Sequence, residues 1–318
     1  MKKIFIFAFI SVSMATDRPG DGRLWEGIYS FYNYEFNKSV SILSEVRELH
    51  PEHPTVHFTW AVSKWLRAQA YNGIEESYDT LSASLEKIIP VYDDYVEQYP
   101  DEPEYRLYAA AANGVKARVH LGKKEWMSVV MEGIKGYRGI RAVHNKNPEL
   151  WDAYFPIGIL NFYAGNMSGL VQFLAGFVGI DADKVLGMEQ MTITAEKGKF
   201  AWIEASQIVV FVYLWMDQDF EKALNISQQL VDRIPKSIYN QHLYTESLIR
   251  LNRLDEAEAN LRLTNEMAER LPSLSKKGWL PTLKYHDALL SFYKGDTDRA
   301  MEMVTQSINE FNTELDTP

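Results

Sequence analysis

The chain has 318 residues, 46% of them apolar, no cysteine and a formal net charge of −10. Such a composition can bury a sizeable core, so disorder is not the expectation, and the lack of cysteine excludes disulfides, thiolate metal sites and cysteine nucleophiles. The acidic balance disfavours nucleic acid and anionic lipid surfaces, which carry phosphate charge of the same sign.

At the N-terminus, Lys2 and Lys3 precede the apolar run 4–12, and Ser13-Met14-Ala15 offers small residues around a cut. The pattern predicts a secretory signal peptide over 1–15, with the mature chain starting at Thr16 and the periplasm or cell surface as destination. A lipoprotein anchor is excluded, because it would need a cysteine.

From residue 16 onward, apolar residues recur at spacings of three and four, the period of a helix face, and strand-like alternation is absent. Breakers punctuate the chain at Pro51, Pro54, Gly73, Pro100, Pro103, Gly122, Pro148, Gly165, Gly169, Gly179, Gly198, Pro235, Pro272, Pro281 and Gly295. Their spacing predicts about fifteen helices in one domain over 16–318.

Those helices are expected to pair as hairpins. Gly27, Ser39 and Pro51 stand twelve positions apart, as do Ala223 and Pro235, and Ala257 follows Ala223 by 34 residues. Ala300 lies in a similar setting, after Gly295-Asp296-Thr297-Asp298-Arg299. Small side chains let helix backbones approach closely. The clearest repeats are 20–53, 204–237, 238–271 and 281–314. They resemble the tetratricopeptide superfamily, and the resemblance implies an all-α, right-handed α-solenoid of tetratricopeptide-like hairpins.

The middle of the chain reads Pro156-Ile157-Gly158-Ile159-Leu160-Asn161-Phe162-Tyr163. Then come Leu170-Val171-Gln172-Phe173-Leu174-Ala175-Gly176-Phe177-Val178-Gly179 and Asp183-Lys184-Val185-Leu186-Gly187-Met188. This stretch is similar to the tetratricopeptide repeat protein 39 and inclusion-body-clearance family and to its exported bacterial relatives. Gly158, Asn161, Gly176, Phe177, Gly179, Asp183 and Gly187 carry the match. The family usually has a proline between the two apolar segments, where this chain has Gly165-Asn166-Met167-Ser168-Gly169. The resemblance spans 103–257 and implies an interaction scaffold without known chemistry.

Residues 153–180 carry no charge, yet Pro156, Asn161, Asn166, Ser168, Gln172 and five glycines interrupt them, so two helices around a glycine-rich bend are expected and not a membrane span. The second helix is apolar enough to require burial. Leu170, Phe173, Leu174 and Phe177 would plug the solenoid, or face a partner or a membrane surface.

His50, His53 and His57 sit beside Pro51 and Pro54, which reads as an exposed turn and not a metal site. Paired acids such as Glu75-Glu76 read as solvated helix faces, and no phosphate loop, nucleophile elbow or dinucleotide fingerprint is present. No enzyme activity, metal or cofactor is therefore expected. Aromatic residues on the first helices of hairpins are expected to line a concave face, with Trp151, Tyr154, Asn161, Tyr163 and Tyr213 as binding residues. The chain reads as a non-enzymatic envelope scaffold whose groove takes a peptide or protein partner. The alternative is a solute-binding or accessory component of an envelope transport system.

Overall fold

A computed structural model describes residues 18–315. The predicted signal peptide, 1–15, lies outside the described residues. Fifteen α-helices follow one another: α1 (Asp21–Tyr32), α2 (Phe36–Leu49), α3 (Val56–Tyr71), α4 (Ile74–Gln98), α5 (Pro103–Gly122), α6 (Trp126–Lys146), α7 (Tyr154–Gly165), α8 (Gly169–Phe177), α9 (Lys184–Lys197), α10 (Trp202–Trp215), α11 (Phe220–Arg233), α12 (Ile238–Arg250), α13 (Leu254–Ala268), α14 (Ser273–Tyr293) and α15 (Thr297–Leu315). No strand occurs among the described residues.

The helices pack as seven hairpins: α1 with α2, α3 with α4, α5 with α6, α7 with α9, α10 with α11, α12 with α13 and α14 with α15. The short helix α8 is an insertion inside the fourth. One register recurs throughout. The fourth residue of each second helix is Ser39, Ser77, Val129, Gly187, Ala223, Ala257 or Ala300, and all but Val129 are buried. Its amide donates to the residue just before the helix in all seven cases, as from Ser39 to Glu35 O and from Ala300 to Asp296 O. A small side chain at that point brings the second helix down onto the first. At α1/α2 the contact is also polar, the Ser39 hydroxyl donating to Gly27 O at 2.8 Å.

Stacked hairpins share one interior, and here the stack curls until its start meets its end. Helix α3 packs against α14. Trp25 stacks on Phe200 with ring centroids 5.2 Å apart, and Tyr34 meets Trp279 at 6.4 Å. Lys199 donates to buried Asp21 at 2.8 Å, and Lys236 reaches Glu35 at 2.7 Å. Helix α10 lies at the centre of this closure. It carries apolar residues on every side, and Ile203, Ala205, Val209, Val210 and Val212 are fully buried.

Two expectations fail. Pro281 does not end a helix: it sits buried inside α14, and its carbonyl accepts the Ser307 hydroxyl at 2.7 Å. Residues 153–180 do form two helices around a glycine-rich bend, and no helix among the described residues is long and apolar enough to cross a membrane. Yet α8 has no buried residue, with Leu170 69%, Phe173 64%, Leu174 55% and Phe177 70% exposed. The plug reading is therefore wrong. Helix α8 leans chiefly on its neighbour α7, and no described part of the chain covers its apolar face.

Candidate functional site: an interior chamber

The inner helices of the first five hairpins do not meet at the centre. They surround a cavity of about 580 Å³. Helix α1 contributes Ile28, Phe31 and Tyr32, and α3 contributes Phe58, Val62 and Trp65. Leu107, Tyr108 and Val115 come from α5, Tyr137 and Ile140 from α6, and Phe155 and Leu160 from α7. Phe200 and Glu204 close the side formed by the start of α10, and Gly114, Gly133 and Gly136 open room by lacking side chains. Gly136 is also obligatory for packing: a Cβ there would lie 2.6 Å from Gly114 Cα.

The acidic groups of this wall lie around the first turn of α10. Asp152 lies in a short 3₁₀ turn ahead of α7 and receives the backbone amides of Phe200 and Ala201 at 3.1 Å. It thereby satisfies donors that the start of α10 would leave unpaired. Tyr32 donates its hydroxyl to Glu204 Oε1 across the closure between first and fifth hairpins. Burial pushes the Glu204 carboxyl above the usual carboxylate range, against the opposing Tyr32 bond, with Asp152 adding to the rise. Asp152 is raised by burial too, against its amide donors. Burial and the Glu204 charge hold the Tyr32 hydroxyl protonated well beyond its ordinary range.

Three polar atoms of residues in this wall are buried with no partner: Glu204 Oε2, Trp65 Nε1 and Thr55 Oγ1. Such atoms are uncommon in folded proteins, because leaving one dry costs about 1–3 kcal/mol. No lysine, arginine or histidine lines the cavity. Lys199 lies over the Phe200 ring at 5.1 Å but is committed to Asp21, and Arg118 lies over the Trp65 ring at 5.6 Å. A second recess of about 750 Å³ shares Phe31 and Tyr32 with the first and extends toward Leu274 and Trp279 of α14.

None of the five residues singled out from the sequence lines the chamber. Trp151 and Tyr154 do come together, ring centroids 5.5 Å apart, but Tyr154 is spent on Pro148 O and the edge of His144. Asn161 is fully buried and ties α7 to α9, donating to Gln190 Oε1 at 2.9 Å and accepting from Asp181 N at 3.0 Å. Tyr163 is 38% exposed on α7, and Tyr213 packs between core clusters with Lys222 over its ring.

The histidine turn also differs from expectation. His53 and His57 are each 3% exposed, not solvent-facing. His53 Nε2 bonds Asp21 at 2.8 Å, and its Nδ1 accepts the Thr55 amide at 3.2 Å. Arg47 donates to His57 Nδ1 at 2.9 Å, which leaves Nε2–H to donate to Pro51 O at 2.6 Å. With every ring nitrogen taken, neither can act as a ligand, and no metal-competent group of side chains exists among the described residues. No family model, curated protein or solved structure matches the chain.

Proposed function

We propose that this chain is an exported, non-enzymatic binding protein of the cell envelope, built from tetratricopeptide-type hairpins, whose ligand is a small, largely apolar organic molecule held in the interior chamber. One observation carries the reading. A cavity of about 580 Å³, walled largely by aromatic and aliphatic side chains, retains three buried polar atoms without partners. Ligand sites typically measure roughly 300–1,000 Å³ and combine an apolar wall with a few convergent polar groups. The inner helix faces that would hold an extended peptide line this half-open cavity instead, and its volume suits a small solute.

The test uses pyrene as a neutral fluorescent probe. Saturable binding to the wild-type protein is expected, with loss in Ala111→Trp, whose indole would fill the chamber. Failure of pyrene to bind, or equal binding by that variant, sinks the reading.

A protein partner is the second reading, and the bare apolar face of α8 supports it. Isolated exposed apolar residues are ordinary, but a contiguous uncharged face is a mark of interaction surfaces. Phe173→Ser with Phe177→Ser should abolish co-purification of that partner while leaving pyrene binding intact.

A further inference from the structure

Resting on the chamber reading, we infer that the ligand is an organic amine bound as its ammonium, with the charged nitrogen against Glu204 and the apolar body among the rings. The argument is one of charge and of unfilled hydrogen bonds. Two carboxylates, Asp152 and Glu204, and eight aromatic side chains face the space, and no cationic side chain does. An anionic ligand would enter a chamber offering only like charge and the negative faces of rings. A cation would find both partners that stabilise it, carboxylate and π-face.

The carboxylates are not equivalent. Both oxygens of Asp152 are engaged by backbone amides, so it serves α10. Glu204 has one oxygen on Tyr32, and the other, Oε2, has no donor at all. A donor is missing there. An ammonium N–H supplies it, together with the counter-charge that the wall withholds. Trp65 Nε1–H, another unpartnered atom of the wall, would take an acceptor carried on the body of the same molecule.

Tyr32 fixes the geometry. Its hydroxyl donates to Glu204 Oε1, and both side chains belong to the wall. Because Tyr32 and Phe31 also line the neighbouring recess, the cation site lies beside the wall that the two spaces share.

The experiment displaces pyrene from the full chain with three decyl chains that differ only in the head: decylamine, decanol and decanoate. Decylamine should act at concentrations about tenfold below decanol, the fold-change expected of one charge-assisted hydrogen bond, and decanoate should be weakest. Glu204→Gln, which keeps the Tyr32 contact, should bring decylamine down to the level of decanol and leave decanol unchanged. If decanoate matches decylamine, or Glu204→Gln keeps the amine preference, the inference is overturned. If decanol and decylamine bind alike to the wild type, the chamber reading stands and the amine is wrong. If pyrene and all three chains fail to bind, both readings fall. The wild-type series alone decides the matter should the variant not fold.

Discussion

Gly158 and Gly187 face each other where α7 crosses α9. A Cβ on Gly187 would lie 2.6 Å from Gly158 O and 2.4 Å from Phe162 N, and one on Gly158 would lie 2.8 Å from Gly187 O. Backbone atoms cannot step aside as a flexible side-chain end can. Gly187→Ala is therefore expected to destabilise the protein by about 1–3 kcal/mol, although alanine is the better helix former. A Cβ on Gly278, within α14, would meet nothing within 4 Å. Gly278→Ala should stabilise by about 0.5–1 kcal/mol. Urea unfolding of the two variants measures both signs, and a stabilised Gly187→Ala would refute the close crossing.

Glu204 makes a prediction about pH. Its carboxyl is raised in the folded protein by burial, so in the window above the usual carboxylate value the folded state holds a proton that the unfolded state has released. Its contribution to stability is full below the unfolded value and is lost as pH rises through the folded one. Wild type and Glu204→Gln should then be closely matched near pH 4, and the variant should be the more stable at pH 7, by on the order of 1 kcal/mol. Stability curves that diverge in the opposite sense would mean that Glu204 is charged and satisfied in the empty chamber.

Much of this architecture is legible in the residues, for a physical reason. Close helix crossings demand small side chains, so Ser39, Ala223, Ala257 and Ala300 announce themselves by position, and each proves to be the fourth residue of a second helix. Ser77 does the same job and escapes notice, because serine is as common on a helix surface. The chamber escapes altogether. A first helix carries one apolar stripe toward its hairpin partner and another toward the interior, and periodicity gives both the same signature. Phe31, Phe58 and Trp65 face the cavity, whereas Tyr213 packs into the core. Glu204 looks like an ordinary acid in the first turn of a helix, favourable to the dipole. Only the arrival of Tyr32, 172 residues away, turns it into a wall group.

The buried histidines give the fold an acid limit. Burial, reinforced by Arg47, pulls His57 down to about 4, so it stays neutral in the fold over a range where the unfolded chain is protonated. His53 and His242 are lowered by burial as well, His242 with His286 stacked on it at 4.7 Å. A depressed pKa stabilises above the unfolded value, near 6.5, and that stability drains away as pH falls toward the folded value. Between pH 6.5 and 5 the wild type should lose about 2 kcal/mol more than His57→Gln, since one proton per molecule separates them. Urea midpoints at the two pH values measure the difference. Parallel losses would mean that His57 is protonated in the fold and that Arg47 does not donate to it.

Helix α8 separates the two uses of apolar sequence in this chain. Phe173 and Phe177 touch each other, ring centroids 4.9 Å apart, and are 64% and 70% exposed, so removing them takes little surface out of a dry environment. Ile157, only one hairpin arm away, is 2% exposed in the core beneath α7. Phe173→Ser and Phe177→Ser should each change unfolding free energy by no more than about 0.5 kcal/mol, while Ile157→Ala should cost about 2–5 kcal/mol. The serine variants should also resist aggregation better than the wild type, because an exposed apolar face associates with itself when nothing covers it. Large losses at Phe173 and Phe177 would mean that α8 packs into the chain in solution, and the face offered to a partner would be gone.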